Sequence, residues 1–573
     1  MKEIKKKIRF YIFQWLILWA PLFMFAVLPV ITSWLNNRYQ VTVFDLVLPV
    51  ILSLILSLII GAIFYRSFIR NNLAGLAGAA TAVLFLGQKY NGLLFKFLDK
   101  WKDAYGGYFS LVFFLATIVI CFLIYFLISK ITKKWPFKTD VLVKAGIIVI
   151  TVAFLLQFYS LVKVVVIEWP QFFYRPSSIS EKLAVDPTGF KPDIYYIVLD
   201  RYANQNVMKS QFDFSNEDFI GFLKDNNFFV DPDAYSNYSS TATSIASTLN
   251  ADYNSEIVRK FGAVSQQTVQ PYHDSIHYAS VTKQLKSLGY SYYHLGTWYE
   301  GTSVAPLADH YYQPEGQLTV FNRTYTLTDF TKKELIASIF WRLVRYGVNL
   351  GNYKILTYSS QSEIEATLSK ISILNDIAEA SSGGRFVFAH LLVPHDPFYF
   401  KPDGSLSLNP WIDNEGEPVK QKYVDQVGFV NNQMEDLITK IKENSQGQAV
   451  IILQSDEGPY PMHFTGEQFN LGVVNDELTT GDMRQWPDQD LKMKYGILAA
   501  YEVPKATKED FAAAGDSVNI FRLVFNTYFG GNLPYLPKCY YANPDGRDKA
   551  FLYSNISERL TGQNDSACAN DSR

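Results

Sequence analysis

The chain has 573 residues with 52 Lys and Arg against 54 Asp and Glu, a formal net charge of −2; it is long enough for two or three domains and lacks the basic balance of a nucleic-acid binder. Nucleic acid is therefore not an expected partner. Hydrophobic residues make up 49% of the chain and charged ones 18%, and the apolar excess is gathered in roughly the first 170 positions, which points to a membrane.

In chain order, Ile12–Thr32 and Val43–Tyr65 are the first runs longer than the ~20 mostly apolar residues that cross ~30 Å of hydrocarbon. Leu73–Gly87 is weaker, small and apolar before it runs into Gln88, Lys89 and Asn91, and a re-entrant segment is its alternative reading. Tyr108–Ile128 and Val141–Ile167 complete the set, the latter interrupted only by Lys144, Gln157 and Lys163.

Basic residues decide the doubtful case, because loops on the cytoplasmic side carry the Lys/Arg excess. Lys2, Lys5, Lys6, Lys7 and Arg9 hold the N-terminus inside, and Arg66 and Arg70 return the chain there after two spans. Lys130, Lys133, Lys134 and Lys138 are cytoplasmic only if Leu73 to Phe95 crosses. The expectation is a multi-pass cell-membrane protein whose residues 1–168 form a five-helix transmembrane bundle, with everything after Trp169 extracytoplasmic. Cys121 fills space in the fourth span. A transporter would place paired charges mid-span, whereas Asp45, Lys144 and Lys163 lie toward the ends.

Trp169, Phe172, Phe173 and Tyr174 around Pro170 and Pro176 read as an interfacial aromatic belt and linker over 169–190. Beyond it, 191–573 has the composition of a soluble domain. Strand-like runs at Asp193–Leu199, Tyr290–Leu295, Phe386–Val393, Ala449–Gln454 and Ile497–Tyr501 alternate with helical patterns, which predicts an α/β exported domain with a mainly parallel central sheet. Leu335–Leu350 reads as an amphipathic helix, either packed on the sheet or lying on the membrane. Cys539 and Cys568 either bridge or remain two free thiols.

In such sheets functional groups collect at the carboxyl ends of strands. Four segments qualify. In DIYYIVLDRYA the apolar run stops at Asp200 and Arg201, where a carboxylate can hold a cation. NYSSTATSIASTLN (237–250) is rich in hydroxyls; it reads either as a capped helix or as a helix start where free N–H groups and the macrodipole favour an anion. FVFAHLLVPHDPF brings His390, His395 and Asp396 to a strand exit, and AVIILQSDEGPYPMHF does the same for Asp456 and Glu457, with His463 soon after. Adjacent carboxylates repel, and a divalent cation is the economical resolution.

Taken in order, these segments resemble the sulfatase-like branch of the alkaline phosphatase superfamily from about Pro192 to Tyr540, including GILAAYEVP (496–504) and SVNIFRLVFNTYFGGNLPYLP (517–537). Spans followed by such a domain resemble the layout of lipoteichoic acid synthases and lipid A phosphoethanolamine transferases. The resemblance implies Thr241 as nucleophile, since Thr241-Ala-Thr-Ser244 matches the family's nucleophile-x-x-Ser spacing, and Asp200, Thr241, Asp456 and Glu457 as metal ligands. It puts the catalytic His395 toward the substrate, with His390, His463 and Arg201 as further substrate-side candidates.

Two departures bear on the chemistry. Neither Pro nor Arg follows Thr241 in the frame that yields formylglycine, and threonine cannot form that aldehyde, so sulfate-ester cleavage by the usual route is not expected. Glu457 stands where phosphotransfer members resemble one another in having His. Oxygen-only ligands favour one hard cation, Mn²⁺, Mg²⁺ or Ca²⁺, over Zn²⁺. The expected activity is a metal-dependent phosphotransfer from a membrane lipid or lipid-linked donor to a surface glycan or lipid. A hydrolase built from the same parts and a non-catalytic domain for assembly or glycan binding are the alternatives.

Overall fold

The computed structural model describes residues 2–37, 41–70, 79–80, 82–83, 119, 122–131, 133–134, 136–177, 179, 183, 190–262, 268–312, 317–320, 323–327, 329–336, 348–350, 353–359, 362–380, 383–407, 419–461, 483–543, 551–563 and 566–568. The chain divides into two compact units, Met1–Trp169 with Gly316–Ser360, and Pro170–Glu315 with Gln361–Arg573.

The first unit is built on helices α1 (Lys2–Asn37), α2 (Val47–Arg70) and α3 (Pro136–Glu168). Among the described residues, three stretches are long and apolar enough to cross a membrane: Trp19–Asn37, Val43–Tyr65 and Lys144–Ile167. Most of the expected third span and most of the expected fourth lie outside the described residues; within those described, a shorter apolar helix covers Phe122–Ile131. Five spans are thus an expectation, and three candidates are present among the described residues. Trp34 is buried with its indole N–H donating to the Thr42 carbonyl at 2.7 Å, which satisfies its polar atom in an apolar setting.

Residues 316–360 of this unit carry a small antiparallel sheet, Arg323–Thr326, Gln317–Val320, Tyr353–Ser359 and Val348–Leu350 in spatial order. Between these strands lies the helix Asp329–Ile336, whose Phe330 packs against Val27, Val30 and Trp34. The amphipathic helix expected over Leu335–Leu350 is corrected at its far end, since Val348–Leu350 is a strand paired with Tyr353–Ser359; residues 337–347 lie outside the described set. A short apolar run of this length suits either state, and strand pairing decided it.

The second unit holds a seven-stranded sheet of β1 (Ile194–Leu199), β2 (Phe229–Val230), β3 (Ser291–Leu295), β4 (His310–Tyr312), β5 (Arg385–Leu391), β6 (Val450–Gln454) and β7 (Ala499–Glu502). Its spatial order is β2-β7-β6-β1-β5-β3-β4. β6, β1, β5, β3 and β4 run parallel, while β7 pairs antiparallel with β6 and β2 antiparallel with β7. The sheet is therefore mixed: the expected parallel centre is present, and the run predicted at Ile497–Tyr501 is an antiparallel strand toward the edge.

Because side chains alternate across a strand, the all-apolar β1 serves both faces. Ile194, Tyr196 and Val198 enter one core with Phe386, Phe388, Val450 and Ile452, covered by helices α4 (Thr241–Asn250) and α7 (Ile520–Tyr528). Tyr195, Ile197 and Leu199 enter the other with Val387, Ala389, Ile451 and Leu453, under α5 (Glu363–Glu379) and α6 (Val419–Asn444). A buried ion pair fixes the entry of two strands: Asp193 accepts from the Arg385 backbone N–H at 2.9 Å and from its Nη2 at 2.5 Å.

Of the predicted aromatic belt, Trp169 and Phe173 are half-exposed, but Tyr174 is buried in the α4-side core. Cys539 and Cys568 form a disulfide with Cα atoms 5.5 Å apart across 29 residues, a loop whose closure removes roughly 3 to 4 kcal/mol of unfolded-state entropy.

Beside that bridge, burial pushes the Asp516 carboxyl up to about 7, against a hydrogen bond from Asn237 Nδ2 at 2.8 Å that pulls it down. A carboxyl whose folded pKa is raised contributes stability that is fully present below its unfolded value of 3.8 and is lost as pH rises toward 7. Asp516→Asn is expected to remove this part of the pH slope, up to about 1.4 kcal/mol per unit between pH 4 and 7. Thermal melts across that range check it, and an unchanged slope would refute the assignment.

Candidate metal and nucleophile site

Three neighbouring parallel strands deliver the central residues by register alone. Val198 of β1 lies beside His390 of β5 and Gln454 of β6. Asp200 and Asp456 each follow two residues after that rung, so all three side chains inherit the α4-facing parity. The Asp200 N–H donates to the Leu391 carbonyl at 3.0 Å, which extends the alignment past the end of β1.

Ligand atoms of Asp200, His390 and Asp456, all buried, lie within 4.8 Å of one another. His390 Nε2 is 3.4 Å from Asp200 Oδ2. Asp200 Oδ1, His390 Nε2 and both Asp456 carboxylate oxygens are buried without a hydrogen-bond partner. Buried polar groups left unpaired cost free energy, and unpaired atoms on three clustered residues are the kind of donor set a cation would satisfy. Coordination bonds of about 2.0–2.6 Å to a shared centre are compatible with that spacing. A divalent ion therefore fits these residues.

The electrostatics agree. Burial alone would raise the Asp200 carboxyl, but the charge of His395, the proximity and charge of His390, and Arg201 outweigh it and hold the group below its usual range. Asp456 moves the other way, raised by burial and by repulsion from Asp200 and Glu457, with Thr241 pulling in the opposite sense.

Thr241 opens α4, after Ser240 with extended backbone at the cap. Ala242, Ile245, Ala246 and Leu249 bury one stripe of this helix in the core, which aims its first turn at the strand ends. The Ser244 and Thr243 N–H groups bond back to the Ser240 carbonyl at 2.9 and 3.1 Å. Ser244, the residue three after Thr241, is held by its hydroxyl on the Tyr238 carbonyl at 3.0 Å. Thr241 interacts with Asp456 closely enough to lower its pKa, and it sits where unpaired helix N–H groups favour negative charge.

Glu457 has the opposite parity and does not join the three ligands. Its Oε1 takes Lys494 Nζ at 2.9 Å and Arg201 Nε at 3.1 Å, and the Lys494 side chain is 0% exposed. Arg201 reaches on to Asp396 Oδ1 at 2.7 Å and stacks over the Tyr460 ring. Its backbone is left-handed, φ 61°, a conformation that a residue other than glycine holds only where its surroundings fix it. Tyr423 of α6 supplies it, donating to the Arg201 carbonyl at 2.8 Å and accepting from the Ala203 N–H at 3.0 Å. Ser455 adds a clamp, accepting from the Tyr202 N–H at 3.0 Å and donating to the Glu457 carbonyl at 2.8 Å.

His395 is 23% exposed in side chain and its Nδ1 bonds the Asp396 carbonyl. A carbonyl only accepts, so Nδ1 carries a proton. His463 lies outside the described residues. Of the sequence candidates, then, Asp200, Thr241, Asp456 and His390 come together, with His395 adjacent and Arg201 and Glu457 paired elsewhere. Lys494 and Thr302, which bonds His390 Nδ1 at 3.0 Å, were not found by sequence reasoning. Neither sits in a motif; Lys494 carries only the signal of a lysine before the apolar run GILAAY.

The sulfatase family's sequence model matches residues 192–492. No curated protein sequence matches the chain. Among solved structures it is similar to the C-terminal periplasmic domain of EptC from Escherichia coli in complex with Zn (11% identity, 66% of this chain and 96% of that one, TM-score 0.37). It is also similar to the lipooligosaccharide phosphoethanolamine transferase EptA from Neisseria meningitidis (11%, 82% and 69%, TM-score 0.33). A third is the putative sulfatase yidJ from Bacteroides fragilis (14%, 64% and 83%, TM-score 0.33). Likenesses at this level assign no substrate.

If the buried carboxylate pair is a cation site, Asp456→Asn should stabilise the metal-free protein by about 1–3 kcal/mol through lost repulsion, and should abolish the stabilisation that added Mn²⁺ or Zn²⁺ gives the wild type. Melting curves in chelator and in metal check both halves. A variant less stable in chelator, or still stabilised by metal, would contradict the reading.

Proposed function

The chain belongs to the sulfatase family, whose model spans more than half of it, and from that premise we propose that this enzyme of the sulfatase type is a membrane-anchored, metal-dependent phosphotransferase. The observation that carries the proposal is the convergence of unpartnered Asp200, His390 and Asp456 atoms beside Thr241 at the start of α4.

Residues 1–168 would anchor the protein in the cell membrane with its N-terminus cytoplasmic, and the domain from 191 onward would work outside; the Cys539–Cys568 bridge suits an oxidising compartment. Asp200, His390 and Asp456 would hold one divalent cation. Two carboxylates and one imidazole favour Mn²⁺ over Mg²⁺ and Ca²⁺ and bring Zn²⁺ within reach, which revises the oxygen-only reading that rested on Glu457. When bound, such an ion supplies positive charge that neutralises the carboxylates and lowers the pKa of a neighbouring hydroxyl.

Thr241 Oγ is the attacking oxygen on the phosphorus of a lipid headgroup or lipid-linked phosphodiester, with the helix N-terminus stabilising the charge on the phosphoryl oxygens. Thr241 releases its hydroxyl proton to solvent as its Oγ–P bond forms and the P–O bond to the leaving group breaks, and His395 in its imidazolium form gives the Nε2 proton to that departing oxygen while keeping its Nδ1 proton on the Asp396 carbonyl. The phospho-group on Thr241 then passes to a hydroxyl of a surface glycan or lipid. Water as acceptor gives a hydrolase with the same parts.

Two measurements test this. Intact mass and peptide analysis of protein purified from cells should find a phospho-adduct on Thr241 in the wild type, reduced in His395→Ala and missing from Thr241→Ala. Lipid extracts from cells with Thr241→Ala should retain a headgroup donor that wild-type cells consume. A missing adduct together with unchanged lipids and no bound metal would favour a non-catalytic domain; a consumed donor with no glycan or lipid product would favour the hydrolase.

A further inference from the structure

The loop after β3 holds a hydrogen-bonded chain beneath His390. Thr302 Oγ1 lies 3.0 Å from His390 Nδ1 and 3.0 Å from Thr297 Oγ1. Thr297 Oγ1 accepts from the Tyr299 N–H at 3.0 Å. The Thr302 carbonyl faces His294 Nε2 at 2.7 Å, and His294 Nδ1 faces the Tyr292 hydroxyl at 2.7 Å. Thr297, Thr302, His294 and His390 are all buried. The loop is drawn tight against its own strand: a side-chain carbon on Gly296 would come within 2.2 Å of the Thr302 carbonyl oxygen. Thr302 is thus built into position by contacts other than the one it makes to His390.

We propose that Thr302 is a positioning residue for His390, and that its hydroxyl lets the imidazole exchange tautomers when a cation enters. The proposal rests on the reading that Asp200, His390 and Asp456 hold a divalent ion. A histidine ligating through Nε2 must carry its proton on Nδ1, and that proton needs an acceptor in a dry site. Thr302 Oγ1 accepts it while turning its own hydrogen to Thr297 Oγ1. With no cation, Nε2 carries the proton toward Asp200, Nδ1 is bare, and the same hydroxyl turns round to donate. A backbone carbonyl at this place would fix one tautomer, and an apolar side chain would satisfy neither. The hydroxyl alone serves both states at no change of backbone. Nothing is gained or lost in the exchange beyond the movement of one proton from Nε2 to Nδ1 by way of solvent or the neighbouring carboxylate.

The test is metal affinity of the full chain in detergent, measured with Mn²⁺ and with Zn²⁺ by competition against a chromophoric chelator. Thr302→Val, nearly isosteric but without the hydroxyl, should weaken binding by about 10- to 100-fold. Thr302→Ser, which restores the hydroxyl, should return affinity to within about 3-fold of the wild type, and a purely structural role would not separate these two variants in that order. Melting temperatures in chelator accompany each measurement; if Thr302→Val does not fold, Thr302→Ala removes the same hydroxyl with less bulk. Wild-type binding that Asp456→Asn abolishes but Thr302→Val leaves intact overturns this proposal and spares the metal site. No binding by the wild type overturns both.

Discussion

The site depends on one constraint: three adjacent parallel strands share a register, and a strand offers every second residue to the same face. Given Val198 beside His390 and Gln454, Asp200 and Asp456 follow on the same side without further instruction. The apolar residues preceding them on that parity, among them Tyr196, Phe388 and Ile452, are buried in the core that α4 covers. Core packing and ligand placement are therefore one event. A slip of one residue in β1 would bury Arg201 among the ligands and turn Asp200 to the α6 side. The Asp193–Arg385 pair at the strand entry opposes such a slip, since a displaced register would leave a buried charge unpaired.

The same constraint explains what the sequence made legible. A strand that stops at a carboxylate is visible as an apolar run with an acid behind it, and Asp200 and Asp456 are found that way. Thr241 is legible because a helix start can be recognised from hydroxyls ahead of Ala242, Ile245 and Leu249. The sheet's parallel centre follows from alternating strand and helix patterns. The antiparallel direction of β7 does not, because hydrophobic periodicity carries no sign: Ala499–Glu502 reads the same in either sense. Nor does the packing of Phe330 on Val27 and Trp34, which brings a segment of the outer half of the sequence into the first unit. Contacts between distant positions are set by shape, and a single sequence encodes them only implicitly.

His390 and Glu457 mark where reading by motif and reading by geometry part. Adjacency in sequence suggested that Asp456 and Glu457 act as a pair, but neighbours along an extended chain point to opposite faces. Asp456 continues the parity of Gln454 and Glu457 does not. His390, by contrast, reads from the sequence as a substrate-side group at the strand exit, whereas it sits inside its strand. Its position one rung before the strand ends places Nε2 within 3.4 Å of Asp200, while the more conspicuous His395, in the Pro-bounded loop, stays on the rim.

Charge balance gives a reason for that arrangement. A divalent cation with Asp200 and Asp456 is already neutral, and a third carboxylate would leave the centre negative and repel an anionic substrate. A neutral imidazole in the third place adds a donor without adding charge. Glu457 still has to be accommodated in a buried setting, and the fold does so by giving it two cations, Lys494 at 2.9 Å and Arg201 at 3.1 Å. Arg201 in turn shares its charge with Asp396, the residue after His395. The second acid of the Asp-Glu pair is thereby turned into a strut, through Arg201, between the end of β1 and the loop that carries His395.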